Sequence, residues 1–165
     1  RLALAVVFDA ATGEFETYTE ERAEALIERL FRAPAVVGFN SRRFDYGVLR
    51  AYTTRELSRL PTFDLLEEIH RKLGYRLSLD HLATHTLGRG KTGDGMQSLV
   101  WWKEGRIELI EAYCRKDVEL VRDLLEFAAR EGHVLFERKS GERVKLPVEW
   151  DEATILARAS AESPR

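Results

Sequence analysis

One long helical stripe restricts the fold of this chain more than any other feature. From about Arg106 to Arg130 the apolar residues Ile107, Ile110, Tyr113, Cys114, Val118, Val121, Leu124, Leu125 and Ala128 recur at helical spacing, and Gly132 closes the segment. So broad an apolar face has to be buried against other elements, and the residues before it supply them. Leu2–Phe8 is apolar and β-branched, Ala11-Thr12-Gly13 is a turn, and Glu14–Tyr18 alternates polar and aromatic residues, which predicts a hairpin. Thr19 is placed to cap a helix over Glu20–Arg32, whose Ala23, Leu26, Ile27, Leu30 and Phe31 share a face and which Pro34 ends. Ala35–Phe39 has the length of a strand and runs directly into Asn40–Asp45, where a second helix begins. Pro61–Asp64 is another short strand, leading into a helix over Leu65–Leu73 that Gly74 stops.

The remaining segments are mostly helical. Leu79–Leu87 is a helix ended by Gly88, the loop Gly88–Gly95 carries too many glycines for regular structure, and a short helix passes through Trp101 and Trp102. His133–Arg138 and Glu142–Leu146 flank Lys139-Ser140-Gly141 as a terminal hairpin. Asp151–Arg165 has weak periodicity and is expected to fray. The expected organisation is one domain over residues 1–150 and a tail over 151–165, which 165 residues can accommodate around a single core.

Composition narrows the function classes. No apolar run approaches the roughly 20 residues that cross a bilayer, and Leu2–Phe8 is too short for the apolar core and cleavage site of a signal peptide. A single cysteine, Cys114, cannot form an internal disulfide. These features imply a cytoplasmic protein without a membrane role. The net charge of −2 argues against a strong nonspecific coat on nucleic acid. It is compatible with an enzyme that handles phosphate through bound cations, because the protein must then supply carboxylates.

Such carboxylates are present at suggestive places. Tyr113 and Asp117 lie four positions apart on the long helix, so they project from one face a turn apart. Asp45 follows a strand at its carboxyl end, where open α/β sheets place ligands. Two carboxylates from different elements are what a Mg²⁺ or Mn²⁺ site requires. By spacing alone, a solvated aspartate and a core tyrosine explain the same residues.

The local wording adds a resemblance. Val36-Val37-Gly38-Phe39-Asn40-Ser41-Arg42-Arg43-Phe44-Asp45 resembles the second motif of DEDD exonucleases, and Tyr113-Cys114-Arg115-Lys116-Asp117 resembles the third motif of their tyrosine subclass. From Leu2 to about Phe136 the chain looks like a bacterial and archaeal ribonuclease-H-like branch related to polymerase proofreading domains. The resemblance implies an α/β, ribonuclease-H-like mixed sheet flanked by helices, with the C-terminal hairpin appended. It also implies a two-metal phosphodiesterase, a 3′–5′ exonuclease on single-stranded DNA or RNA ends, acting with two Mg²⁺ or Mn²⁺ ions. Asp45 and Asp117 would hold metal and Tyr113 would orient the attacking water. Asn40 would steady the loop or the substrate strand.

One departure from that pattern is important. The family begins with a strand carrying Asp-x-Glu, and no such motif occurs here; where Asp9 echoes it, Ala11 stands in place of the Glu. Leu2–Phe8 therefore reads as the second strand. The central first strand, between those ending at Phe8 and Phe39, is missing. Either the sequence is a fragment, or the sheet has closed up without the strand, or the chain is a degenerate member without catalysis; a start at Arg1 rather than Met favours the first. The competing function is a non-catalytic module that binds nucleic acid or a partner within a larger replication or repair assembly.

Other motifs have weaker chemistry. Arg42 and Arg43 flank the motif and are candidate phosphate ligands, as are Arg89 and Lys91 in the glycine loop. A Walker A loop is excluded there, since His85 stands where its first Gly belongs and a helix precedes it. Trp101 and Trp102 point about 100° apart on a helix, so at most one faces a ligand and at least one packs inward. His81 and His85 are one turn apart but lack the further ligands of a zinc site. Asp64 is placed to cap the helix that starts at Leu65 or to support the site.

Overall fold

The computed structural model describes residues 1–90 and 95–162. β1 (Leu4–Asp9) and β2 (Glu14–Thr19) form the N-terminal antiparallel hairpin, registered from Leu4 opposite Thr19 to Asp9 opposite Glu14. Gly13 takes φ 75° in its turn, a left-handed conformation that costs glycine nothing. Thr19 makes no side-chain capping bond, and the helix it precedes opens as a 3₁₀ turn over Glu20–Arg22 before α1 (Ala23–Arg32). Thr19 therefore does not take the capping role expected of it.

β3 (Val36–Gly38) and β4 (Thr62–Asp64) pair in parallel, with Gly38 beside Asp64 at their carboxyl ends. Between them run a π-helical turn over Ser41–Asp45 and the short α2 (Tyr46–Leu49). β4 leads straight into α3 (Leu65–Leu73), and α4 (Leu79–Leu87) follows; Gly74 and Gly88 end the two helices in the left-handed region. α5 (Gly95–Lys103) precedes the long α6 (Ile107–Glu131). β5 (His133–Glu137) and β6 (Arg143–Pro147) make the C-terminal hairpin.

The strands form three two-stranded sheets among the described residues: β1 with β2, β3 with β4, and β5 with β6. The first and second sheets are not joined, so the expected mixed sheet is divided at the position assigned to the missing central strand. Closure of β1 onto β3 has not taken place, which removes that alternative. Each hairpin and pair is held by its own register, and helices supply the connection between them.

Two apolar clusters result. Leu2, Tyr18, Ala23, Leu26, Ile27, Tyr46, Leu49, Leu57 and Leu60 pack beneath the first hairpin and α1. The larger cluster surrounds β4 and α6, where Phe63, Ile69, Leu82, Leu120, Leu124, Val134 and Phe136 are almost fully buried. The segment after Trp150, expected to fray, forms α7 (Glu152–Glu162). Asp151 starts it by accepting from the Thr154 backbone at 3.1 Å and its hydroxyl at 2.7 Å, and Ile155 and Ala159 are buried in the larger cluster or against it. Two apolar residues four positions apart suffice once a neighbouring surface exists to receive them.

Candidate active site

The site is built on the carboxyl ends of β3 and β4. A side chain at Gly38 would place its Cβ 1.9 Å from the Ser41 hydroxyl, so the chain needs glycine to begin its turn there. Asn40 then adopts φ 62°, ψ 28°; among the described residues it is the one non-glycine with positive φ, in the region that asparagine tolerates best. Asp64, buried at 3% exposure, holds this turn. Its carboxylate accepts from the backbone of Asn40 at 2.8 Å, Leu66 at 3.0 Å and Arg42 at 3.3 Å. The expected cap of α3 is thus real, and the same group also organises the loop.

Further bonds fasten the loop to β4. The Arg42 guanidinium donates to Glu67 at 3.1 Å and to the Thr62 carbonyl at 3.0 Å, which commits it to structure. Tyr46 and Thr62 share a buried hydroxyl contact of 2.6 Å, and burial pushes the Tyr46 phenol up to about 12. Asp45 ends the π-helical turn, a rare geometry found disproportionately at functional sites.

Asp45 is exposed as a residue, although protein atoms surround its carboxyl closely enough to desolvate it. Burial pushes its pKa up to about 6; a hydrogen bond with Ser41 opposes the rise, and the charges of Asp64 and Asp117 add to it. The Asp117 carboxylate is therefore within electrostatic reach of Asp45. Asp117 is half-buried, with its Oδ1 removed from solvent. One turn earlier on α6, Tyr113 is half-buried and meets the edge of the Trp101 ring, centroids 6.1 Å apart at 69°. Ile110, Asp117, Leu120, Leu124 and Ala128 continue one stripe of α6: four of them are core, and Asp117 is half-buried on the same face as Tyr113.

The other sequence candidates are dispersed. Arg43 is exposed on the same loop as Asn40, whereas Arg89 is paired with Asp123, on α6 beyond Asp117. Lys91 lies outside the described residues. Trp101 packs on Tyr113 and Trp102 is 43% exposed, so the pair divides as its spacing requires. His81 accepts from the Glu137 backbone at 3.1 Å and His85 lies 3.4 Å from the Glu137 carboxylate, which ties both rings to β5. Asp9 accepts from the Ala11 backbone at 2.9 Å and pairs with Arg29 at 2.9 Å; these bonds hold its carboxyl below the usual range and spend it on the hairpin turn.

Sequence reasoning missed a group beside Asn40. His70, Arg71 and Arg76 join Arg43 around a cavity of about 200 Å³. The available signal was the density of basic residues between His70 and Arg76.

The donor chemistry can be tested against a metal. Asp45 and Asp117 offer hard oxygens suited to one Mg²⁺ or Mn²⁺, which commonly takes one or two carboxylates and completes its shell with water and phosphate. Asp64 is spent on three backbone amides. Among the described residues no group of three or more His, Cys, Asp or Glu side chains is arranged to hold a metal. By donor type, Asp45 and Asp117 suit a hard cation of this kind.

A family model described as RNase_H superfamily matches residues 3–131. No curated protein and no solved structure matches the chain significantly. No helix among the described residues is long and apolar enough to cross a membrane.

Proposed function

The chain belongs to the RNase_H superfamily, and from that premise we propose that it is a metal-dependent 3′–5′ exonuclease of the DEDD tyrosine subclass, hydrolysing phosphodiester bonds at single-stranded nucleic-acid ends. The observation that carries this reading is that the charge of Asp117, on α6, helps to raise the pKa of Asp45, at the end of the strand-end turn, which puts the two carboxylates within electrostatic reach. A bound Mg²⁺ or Mn²⁺, held by these two carboxylates, would supply Lewis-acid charge at the scissile phosphate. Tyr113, projecting from the same face one turn away, orients the attacking water through its hydroxyl, and the Trp101 ring restrains its position. Asn40 presents its side chain from a fixed left-handed turn and steadies the strand end.

A second reading has an observation in its favour. Asp9, which echoes the family's first carboxylate, is spent on the Ala11 backbone and on Arg29, which suits a non-catalytic module that binds nucleic acid or a partner in a larger replication or repair assembly. The two readings separate in one assay of the natural protein with labelled single strands and Mg²⁺ or Mn²⁺. Cation-dependent release of 3′ nucleotides, abolished by Asp117→Asn, supports the exonuclease. Undiminished release by the variant rejects the assignment, and strand binding without release selects the module.

A further inference from the structure

The cavity beside Asn40 combines features that the catalytic reading does not use. Arg43 comes from the π-helical turn, Arg71 from the last turn of α3, and Arg76 from the segment after Gly74. Three guanidinium groups thus border about 200 Å³, against the single carboxylate of Glu67. That carboxylate is engaged by Arg42 at 3.1 Å, and Arg71 is paired with Glu68 at 3.2 Å. Arg43 and Arg76 enter no ion pair among the described residues. Positive charge is therefore concentrated here in a chain whose net charge is −2.

A structural explanation covers part of the cluster. Basic residues complement the negative end of a helix dipole, which accounts for His70, Arg71 and Lys72 in the last turn of α3. It does not account for Arg43 or Arg76, which lie outside α3 and converge on the same space. Each of these arginines also adjoins an exposed aromatic residue in the chain: Phe44, 66% exposed, follows Arg43, and Tyr75, 47% exposed, precedes Arg76. Guanidinium forks suit phosphate oxygens, and exposed rings suit unpaired bases.

We propose that this cavity is a phosphate-binding subsite for a single-stranded nucleic-acid segment, with Arg43 and Arg76 gripping the backbone and Phe44 and Tyr75 stacking on adjacent bases. The proposal rests on the nucleic-acid reading given above and extends it in space. Asn40 borders both the cavity and the turn that presents Asp45, so a strand whose end reaches Asp45 crosses the subsite on its way out. Arg71, paired with Glu68, lies at the rim.

The test is anisotropy of a fluorescein-labelled oligothymidine in EDTA, measured over a range of salt so that hydrolysis plays no part. Each phosphate contact on a single strand contributes about 0.7 to the slope of log K against log salt. Arg43→Ala with Arg76→Ala is expected to reduce that slope by about 1.4, and to weaken binding roughly tenfold per arginine. The paired lysine substitutions retain most of the slope. Phe44→Ala with Tyr75→Ala weakens binding and leaves the slope unchanged. Because the four residues are on the surface, unchanged circular dichroism verifies folding. An unchanged slope in the arginine variant overturns the subsite, as does failure of the wild type to bind. Displacement by inorganic phosphate with no effect of the aromatic substitutions overturns the strand as its occupant. Asp117→Asn distinguishes the two claims: a lost nuclease activity with an intact slope concerns catalysis alone, and an intact slope without any wild-type hydrolysis removes the exonuclease while the subsite stands.

Discussion

A single oxygen of Asp64 joins two parts of the molecule: Oδ1 accepts the Asn40 amide at 2.8 Å and the Leu66 amide at 3.0 Å, so the cap of α3 is also the anchor of the turn that presents Asp45. The second oxygen reaches the Arg42 amide at 3.3 Å. Because the carboxylate is buried, these amides have no water to replace it.

Asp64→Ala should therefore cost more than an ordinary cap. Loss of an N-cap costs about 1 kcal/mol, and leaving buried amides unsatisfied raises the total to roughly 2–4 kcal/mol. Urea denaturation reads the stability, and hydrogen exchange should quicken at Asn40 and Arg42. Native protection at both amides would show that the turn holds itself.

Asp45→Asn should stabilise the protein at neutral pH while removing activity. The folded pKa of about 6 lies above the ordinary 3.8, so the native state favours the protonated form. Its contribution to stability is fully present below about pH 4 and is lost as pH rises through about 6. One pKa unit corresponds to about 1.4 kcal/mol, and the exposure of the residue discounts the effect to about 1 kcal/mol, or about 2–4 °C in Tm. Thermal melts near pH 8 should show the gain, and melts near pH 4 should show none. A gain that persists at the lower pH contradicts the assignment.

Trp101→Ala should loosen Tyr113 without disturbing strand binding. The expected result is a fall in kcat of about 10–100-fold with little change in KM, because a misplaced positioning group slows the reaction and leaves binding intact. Trp101→Phe should recover much of the loss. A raised KM with unchanged kcat would mean that Trp101 touches substrate directly.

Arg158→Ala should release α7. Glu68 is 4% exposed and pairs with Arg158 and, at 3.2 Å, with Arg71. Losing one partner of a buried carboxylate should cost about 1–3 kcal/mol. Limited proteolysis should then cut within α7, and adding Glu68→Gln should restore part of the resistance. An uncut α7 would show that Ile155 and Ala159 hold it alone.

Much of the fold was legible because its signals are local. Leu79–Leu87 and Leu65–Leu73 declare themselves by periodicity and by the glycines that end them in the left-handed region. Tyr113 and Asp117 share a face on any helix, whatever surrounds it. The Asn40 turn was less legible, since its conformation depends on a carboxylate 24 residues away. The helix over Glu152–Glu162 was less legible for a related reason: its weak pattern becomes sufficient against β4 and Glu68.

The sequence by itself determined the order of elements, the stripe that carries Tyr113 and Asp117, and the motif that ends at Asp45. Only the tertiary structure decided that Asp117 comes within electrostatic reach of Asp45, that Arg42 is committed to Glu67 while Arg43 is left open, and that the sheet divides between β1 and β3. Periodicity is a property of neighbouring residues. Burial, charge coupling and strand pairing depend on distances through space, and the chain sets these only when its layers pack together.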